Sequence, residues 1–215
     1  MCRLHWHQII LALSLVIAST ITAAEKQPGD KGPGPGDVPP AALGVTRAGD
    51  AVETTQFAGK VLVVTFWASW CGPCKAELPV LEGLQNAAKG SVQVVAVNIE
   101  PANTFRVVSQ ALSSLKLTLT NDPKRWNSVA YGVNGIPHMA IIGKDGKILH
   151  VHRGYSEAAL DGFVAEINAA LAKGYGNAVV RYCVSAPGKY SDLHSRLQTR
   201  ARLSEHNWLK RLANA

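Results

Sequence analysis

Cysteine is scarce in this chain: four residues in 215, and only Cys71 and Cys74 stand near each other. A disulfide-stapled scaffold needs more of them at regular spacings, and a structural zinc site needs a second ligand pair, so both classes are set aside. Charge is not abundant either. With 17% charged and 47% hydrophobic residues, the chain is not intrinsically disordered and is long enough for one sizeable core with appendages. The net charge of +7 is unevenly placed, since residues 174–215 carry seven basic and two acidic side chains, a balance of +5.

What the chain does have is organised around Val61 to Pro79. The apolar, β-branched and aromatic run Val61-Leu-Val-Val-Thr-Phe-Trp67 predicts a strand buried on both faces. Trp70-Cys71-Gly72-Pro73-Cys74 follows at once, where a helix begins. A thiol is nucleophilic only as a thiolate, and the free N–H groups and positive dipole end of a helix N-terminus stabilise that anion. Cys71 is therefore expected to be the attacking sulfur. Cys74, one turn further on the same helix face and more shielded, is placed to resolve a mixed disulfide formed at Cys71. The plainer alternative for the pair is a structural disulfide.

Around this stretch the pattern alternates between strands and helices. Leu43 to Thr54, turning about Gly49-Asp50, predicts a hairpin, and the cysteine helix is expected to kink at Pro79. Val92 to Asn98 reads as a second buried strand, Asn103 to Leu115 as a helix and Leu117 to Thr120 as a short strand. Asp122 as N-cap, Pro123 at the first helical position and Gly132 just past the end predict another helix. Met139 to Ile142 and Lys147 to His152 form a hairpin through Asp145-Gly146 at the sheet edge, and Ser156 to Ala172 is the closing amphipathic helix.

The ends read differently. Residues 1–24 carry Arg3, an apolar segment from Ile9 to Ala18 and the small residues Thr22-Ala23-Ala24, the order of a signal peptide, with an uncleaved membrane anchor as the alternative. Cys2 precedes the apolar run and so is not a lipoprotein cysteine. Residues 25–42, rich in Pro and Gly, are expected to be a linker. Residues 43–173 form the domain, and 174–215 a basic extension with a weakly amphipathic stripe, read as a solvated or docked helix, or else as a surface for anionic lipid or an acidic partner. Nucleic acid is not an expected partner of an exported chain.

The buried strand, Trp70-Cys71-Gly72-Pro73-Cys74, the interior Pro79 and Gly135-Ile136-Pro137 together resemble the thioredoxin superfamily. Glu77, the long segment between Val97 and Pro137 and the secretory N-terminus make the chain similar to TlpA/ResA-like exported thiol–disulfide oxidoreductases over Leu43 to Leu171. The resemblance implies an α/β thioredoxin fold, a central mixed sheet flanked by helices, with an N-terminal β-hairpin and a central helix/strand insert. It implies a Cys71/Cys74 dithiol–disulfide cycle with no further cofactor and no metal. Gly72-Pro73 matches thioredoxin, at the reducing end of the scale, so the expected role is reduction of specific partner disulfides, of the cytochrome c maturation or copper-site assembly type, in the periplasm of a Gram-negative bacterium. A membrane electron donor of the thiol–disulfide transporter type is the implied partner. The alternatives are a general disulfide oxidant and a redox-inert adaptor module; a peroxidase of the related peroxiredoxin fold is disfavoured because Ala68 stands where its threonine would be.

The resemblance also assigns residues. Trp70 shields the sulfurs and offers a surface to substrate, unless it is only core; Gly72 and Pro73 set helix entry and the balance between thiolate and disulfide. Pro137 is expected in a cis peptide facing the cysteines, presenting the Ile136 backbone to an extended substrate segment, the alternative being an ordinary turn. Thioredoxins proper carry a buried acid six residues before the first cysteine, where this chain has Thr65, which is no base near neutral pH. Glu77 is the remaining candidate to accept the Cys74 proton, and a surface glutamate is the competing reading. His150 and His152 share one face of a predicted edge strand; two solvated side chains are the expected reading and a copper site the alternative, with no third ligand evident nearby. Cys183 reads as a buried or spectator thiol, or as a site of intermolecular disulfide formation.

Overall fold

The computed structural model of the protein describes residues 32–173. The expected signal or anchor, the first part of the linker, the basic extension, Cys2 and Cys183 lie outside these residues.

Seven strands make one mixed sheet in the order β2-β1-β5-β4-β3-β6-β7. Its centre is β3 (Val61–Trp67), buried at every residue, flanked in parallel by β4 (Val92–Asn98) and antiparallel by β6 (His138–Ile142). Strand alternation splits β3 between two cores. Val61, Val63 and Trp67 face one apolar cluster with Leu78, Leu81 and Leu84 of α1 (Gly72–Ala87) and Phe163 and Ile167 of α4 (Leu160–Ala172). Leu62, Val64 and Phe66 face the other, with Leu43, Val95, Val97 and Tyr131. β5 (Thr118–Asn121) runs parallel to β4, so β3, β4 and β5 all end on the same side of the sheet.

β1 (Ala42–Val45) and β2 (Ala51–Glu53) form the expected antiparallel hairpin, and β1 joins the sheet through β5. β6 and β7 (Ile148–Arg153) form the second hairpin, in which only β7 is an edge strand. α2 (Ala102–Ala111) ends four residues earlier than expected, and α4 begins at Leu160 after a short 3-10 turn over Glu157–Ala159.

Two expectations need correction. The helix anticipated at Asp122-Pro123 starts only at Trp126, as α3 (Trp126–Ala130). Asp122 still donates its N–H to the Asn98 carbonyl at 2.8 Å, so it belongs to the sheet register, and the chain turns through Arg125 at φ 59° before the helix can begin. The Asp122 carboxylate caps from a distance, accepting from Ser128 N at 2.7 Å and Ser128 Oγ at 3.0 Å.

The other correction concerns the Pro/Gly-rich segment, which from residue 32 is a strap laid on the domain rather than a free linker. Gly36 N donates to the Ile148 carbonyl and Ile148 N to the Asp37 carbonyl, at 2.8 and 2.9 Å, and Tyr131 Oη donates to the Pro40 carbonyl at 2.9 Å. Proline and glycine need no ladder of their own here because β7 and Tyr131 supply the partners.

Gly44 lies where the hairpin meets β5. Its φ is +91°, and a Cβ would stand 2.5 Å from the Asn121 carbonyl oxygen. Gly44→Ala is expected to cost about 2–4 kcal/mol in denaturant unfolding through backbone strain and overlap, whereas Gly49→Ala, also at positive φ but in open space, costs about 1 kcal/mol. Equal losses would show that the approach to Asn121 is not a tight one.

Candidate active site

The strand–helix junction after β3 builds the site. Cys71 is the N-cap of α1, with an extended backbone (φ −83°, ψ 105°); its Sγ accepts from Cys74 N at 3.2 Å, and proline occupies the first turn. Cys71 N closes the preceding turn onto the Ala68 carbonyl at 3.1 Å. The two sulfurs are joined, S–S 2.06 Å with Cα atoms 5.3 Å apart. Cys71 is 5% exposed and Cys74 is fully buried, so Cys71 is the slightly more accessible of two buried sulfurs. Gly72 and Pro73 are exposed. Trp70 is 70% exposed, so it is not a core residue.

Glu77 points inward. It is 1% exposed, on the helix face that also buries Cys74, Leu78 and Leu81, which removes the surface-glutamate reading. Thr65, on the α1-facing side of β3, donates its hydroxyl to Glu77 Oε2 at 2.7 Å. Glu77 Oε1 has no hydrogen-bond partner. Burial pushes the Glu77 pKa up to about 7, partly opposed by the Thr65 hydrogen bond. A carboxyl that titrates near neutrality, with one oxygen free and one helical turn from Cys74, can take or return a proton under ordinary conditions.

The Ile136–Pro137 peptide is cis. Phe66 pairs with His138 in the β3–β6 register, so Pro137 sits beside the end of β3, where the chain turns toward Cys71. Pro137 is buried and Ile136 half-buried. Strand register thus brings residues 136–137 and 70–74 to one end of the sheet although about sixty residues separate them.

His150 and His152 do share a face of β7; the His150 side chain is 42% exposed, in keeping with the solvated reading, whereas His152 is half-buried and paired. His152 Nε2 lies 2.5 Å from Glu166 Oε2 and His150 Nδ1 lies 3.4 Å from Glu166 Oε1, and His152 packs edge-on against Phe163 with ring centroids 4.6 Å apart. Among the described residues no cluster of three or more His, Cys, Asp or Glu could hold a metal ion.

Two features escaped the sequence. Thr65, no base itself, is the partner of Glu77; the signal in the sequence is a lone polar residue in an otherwise apolar strand. Glu100, just past β4, binds Ser69 in the turn before Cys71, and only a three-dimensional arrangement shows it.

The redoxin family model matches residues 29–171. The thiol:disulfide interchange protein CycY of Rhizobium leguminosarum bv. viciae is 33% identical over 127 residues, 57% of this chain and 67% of that protein. The thiol-disulfide oxidoreductase ResA of Halalkalibacterium halodurans is 33% identical over 110 residues, 49% of this chain and 61% of its own length. Among solved structures, a candidate thiol:disulfide interchange protein DsbE from Chlorobium tepidum superposes with a TM-score of 0.59 at 34% identity, covering 65% of this chain and 99% of that one. A candidate thioredoxin from Neisseria meningitidis does so at 0.56 and 27% identity, over 64% and 91%.

Burial of Glu77 fixes a pH dependence of stability. Because the folded pKa is raised from 4.5 to about 7, the folded state holds this proton more tightly than the unfolded chain, so stability is full below about 4.5 and is lost as pH rises through about 7. Relative to Glu77→Gln, the native residue is expected to cost on the order of 3 kcal/mol at pH 8 and little at pH 4 in denaturant unfolding of the oxidised protein. A stability difference that does not change with pH would contradict this assignment.

Proposed function

The chain belongs to the redoxin family, with the thioredoxin fold and the likeness to ResA- and CycY-type proteins just described, and from that premise we propose that it is an exported thiol–disulfide oxidoreductase that reduces selected partner disulfides. The observation that carries the reading is the Cys71–Cys74 disulfide at the start of α1 with the buried Glu77 one turn further along the same helix.

In the cycle, the Cys71 thiolate of the reduced protein attacks one sulfur of a partner disulfide. A bond forms between that sulfur and Cys71 Sγ, the partner's S–S bond breaks, and its second sulfur leaves as a thiolate. Glu77 takes the proton of Cys74, and the Cys74 thiolate attacks Cys71 Sγ. The mixed disulfide breaks, the partner's other sulfur also leaves as a thiolate, and the Cys71–Cys74 disulfide is regenerated; the two thiolates are protonated from Glu77 and solvent, and two electrons have passed to the partner. Trp70 and the Ile136 backbone beside Pro137 are the proposed surfaces for the partner segment. Gly72-Pro73 supports the reducing direction, which requires a donor to restore the dithiol; a membrane protein of the thiol–disulfide transporter type suits an exported chain. Apocytochrome c and copper-site assembly proteins are the proposed acceptors, and the periplasm the proposed location. Among the described residues no helix is long and apolar enough to cross a membrane, and residues 1–24 would supply the export signal.

The order of attack is tested by trapping. Cys74→Ser should accumulate mixed disulfides with partner proteins and Cys71→Ser should form none; equal trapping by both would refute the assignment. Direction is tested by equilibration with glutathione, where a potential near −270 mV, as in thioredoxin, is expected. A value near −120 mV would make the protein an oxidant.

A further inference from the structure

Resting on the reductase reading but going beyond it, we propose that Glu100 is a positioning residue of the redox centre: its carboxylate, acting through Ser69, sets the turn that carries Trp70 and Cys71. Both carboxylate oxygens are engaged. Oε2 accepts from Ser69 N at 2.6 Å and from Asn98 Nδ2 at 2.9 Å, and Oε1 accepts from Ser69 Oγ at 2.8 Å. Glu100 is 8% exposed and is itself held: its N–H donates to Asn98 Oδ1 at 2.9 Å, and Asn121 Nδ2 donates to its carbonyl at 2.8 Å.

Position in the fold gives this arrangement its reach. β3, β4 and β5 end on one side of the sheet, so Ser69, Asn98, Glu100 and Asn121 are brought together from three successive strands. The turn of residues 68–71 is closed on one side by Cys71 N donating to the Ala68 carbonyl at 3.1 Å and clamped in the middle at Ser69. Trp70, the next residue, has a side chain that is 70% exposed, so its place relative to Cys71 is fixed from the backbone on either side. An exposed turn could satisfy one N–H with water. Here an ionisable group, able only to accept when ionised, takes both donors of Ser69 and fixes their directions. Attack on a disulfide needs three sulfurs in line, so a turn set in advance is where such positioning pays in rate.

The test uses the full chain in its reduced form and two probes of Cys71. Glutathione disulfide requires in-line approach past the turn, whereas iodoacetamide only requires a thiolate. Glu100→Ala is expected to slow reaction with glutathione disulfide by about tenfold, as for a misplaced reacting group, while alkylation by iodoacetamide changes less than about twofold. Glu100→Gln, which keeps the size and one acceptor oxygen, is expected to fall between, at about threefold, and carries the test if the alanine variant does not fold. An equal fall with both probes would show general loosening or an altered thiol, and no fall with glutathione disulfide would show that the clamp is only structural; either result overturns the proposal. Insulin reduction by the unsubstituted protein judges the reductase reading separately, since neither probe depends on it.

Discussion

A carboxyl group enclosed between a central strand and the helix packed on it is the constraint on which the rest of the site depends. Glu77 must face inward because the helix that starts at Cys71 presents Cys74, Glu77, Leu78 and Leu81 to the sheet. Ionising it there costs stability. Thr65 answers part of the problem with one hydrogen bond at 2.7 Å, and a raised pKa answers the rest. The same geometry that makes the glutamate expensive makes it useful, since a carboxyl poised near neutrality one turn from a buried thiol can exchange protons with it.

The two ends of that helix turn divide the chemistry. Cys71, at the N-cap, stands where free N–H groups and the dipole favour an anion, beside the exposed Gly72 and Pro73. Both sulfurs border the apolar cluster of Trp67, Leu78 and Met139, but Cys74 is fully buried and inside the helix, where a thiolate is disfavoured unless something takes its proton at the moment of attack. The β3–β6 register adds Ile136 and Pro137 at the same end of the sheet, and Glu100 braces the turn from the neighbouring strand.

Most of the fold was legible because its signals are local and strong. The run Val61–Trp67, apolar but for Thr65, reads as a buried strand, and Asp145-Gly146 marked the β6–β7 turn, where Gly146 has φ 77°. What failed was governed by tertiary partners. Asp122-Pro123 has the chemistry of a helix start, but a sheet hydrogen bond to Asn98 holds Asp122 back and the helix waits until Trp126. The Pro/Gly strap has the composition of a linker, and only β7 and Tyr131 make it part of the domain. In the site, the cysteines and Pro137 were recognisable from motif and resemblance. The Thr65–Glu77 bond and the Glu100–Ser69 clamp join residues 12 and 31 positions apart, beyond the reach of periodicity.

The central claim is that Glu77 accepts the Cys74 proton as the mixed disulfide resolves. Stopped-flow turnover of a disulfide substrate across pH, comparing the native chain with Glu77→Gln, addresses it most directly. The account predicts unchanged formation of the first mixed disulfide, slower resolution in the variant with the largest deficit near neutral pH, and a gap that narrows as higher pH ionises Cys74 unaided. Resolution rates that coincide at every pH would contradict the account and leave water as the proton acceptor.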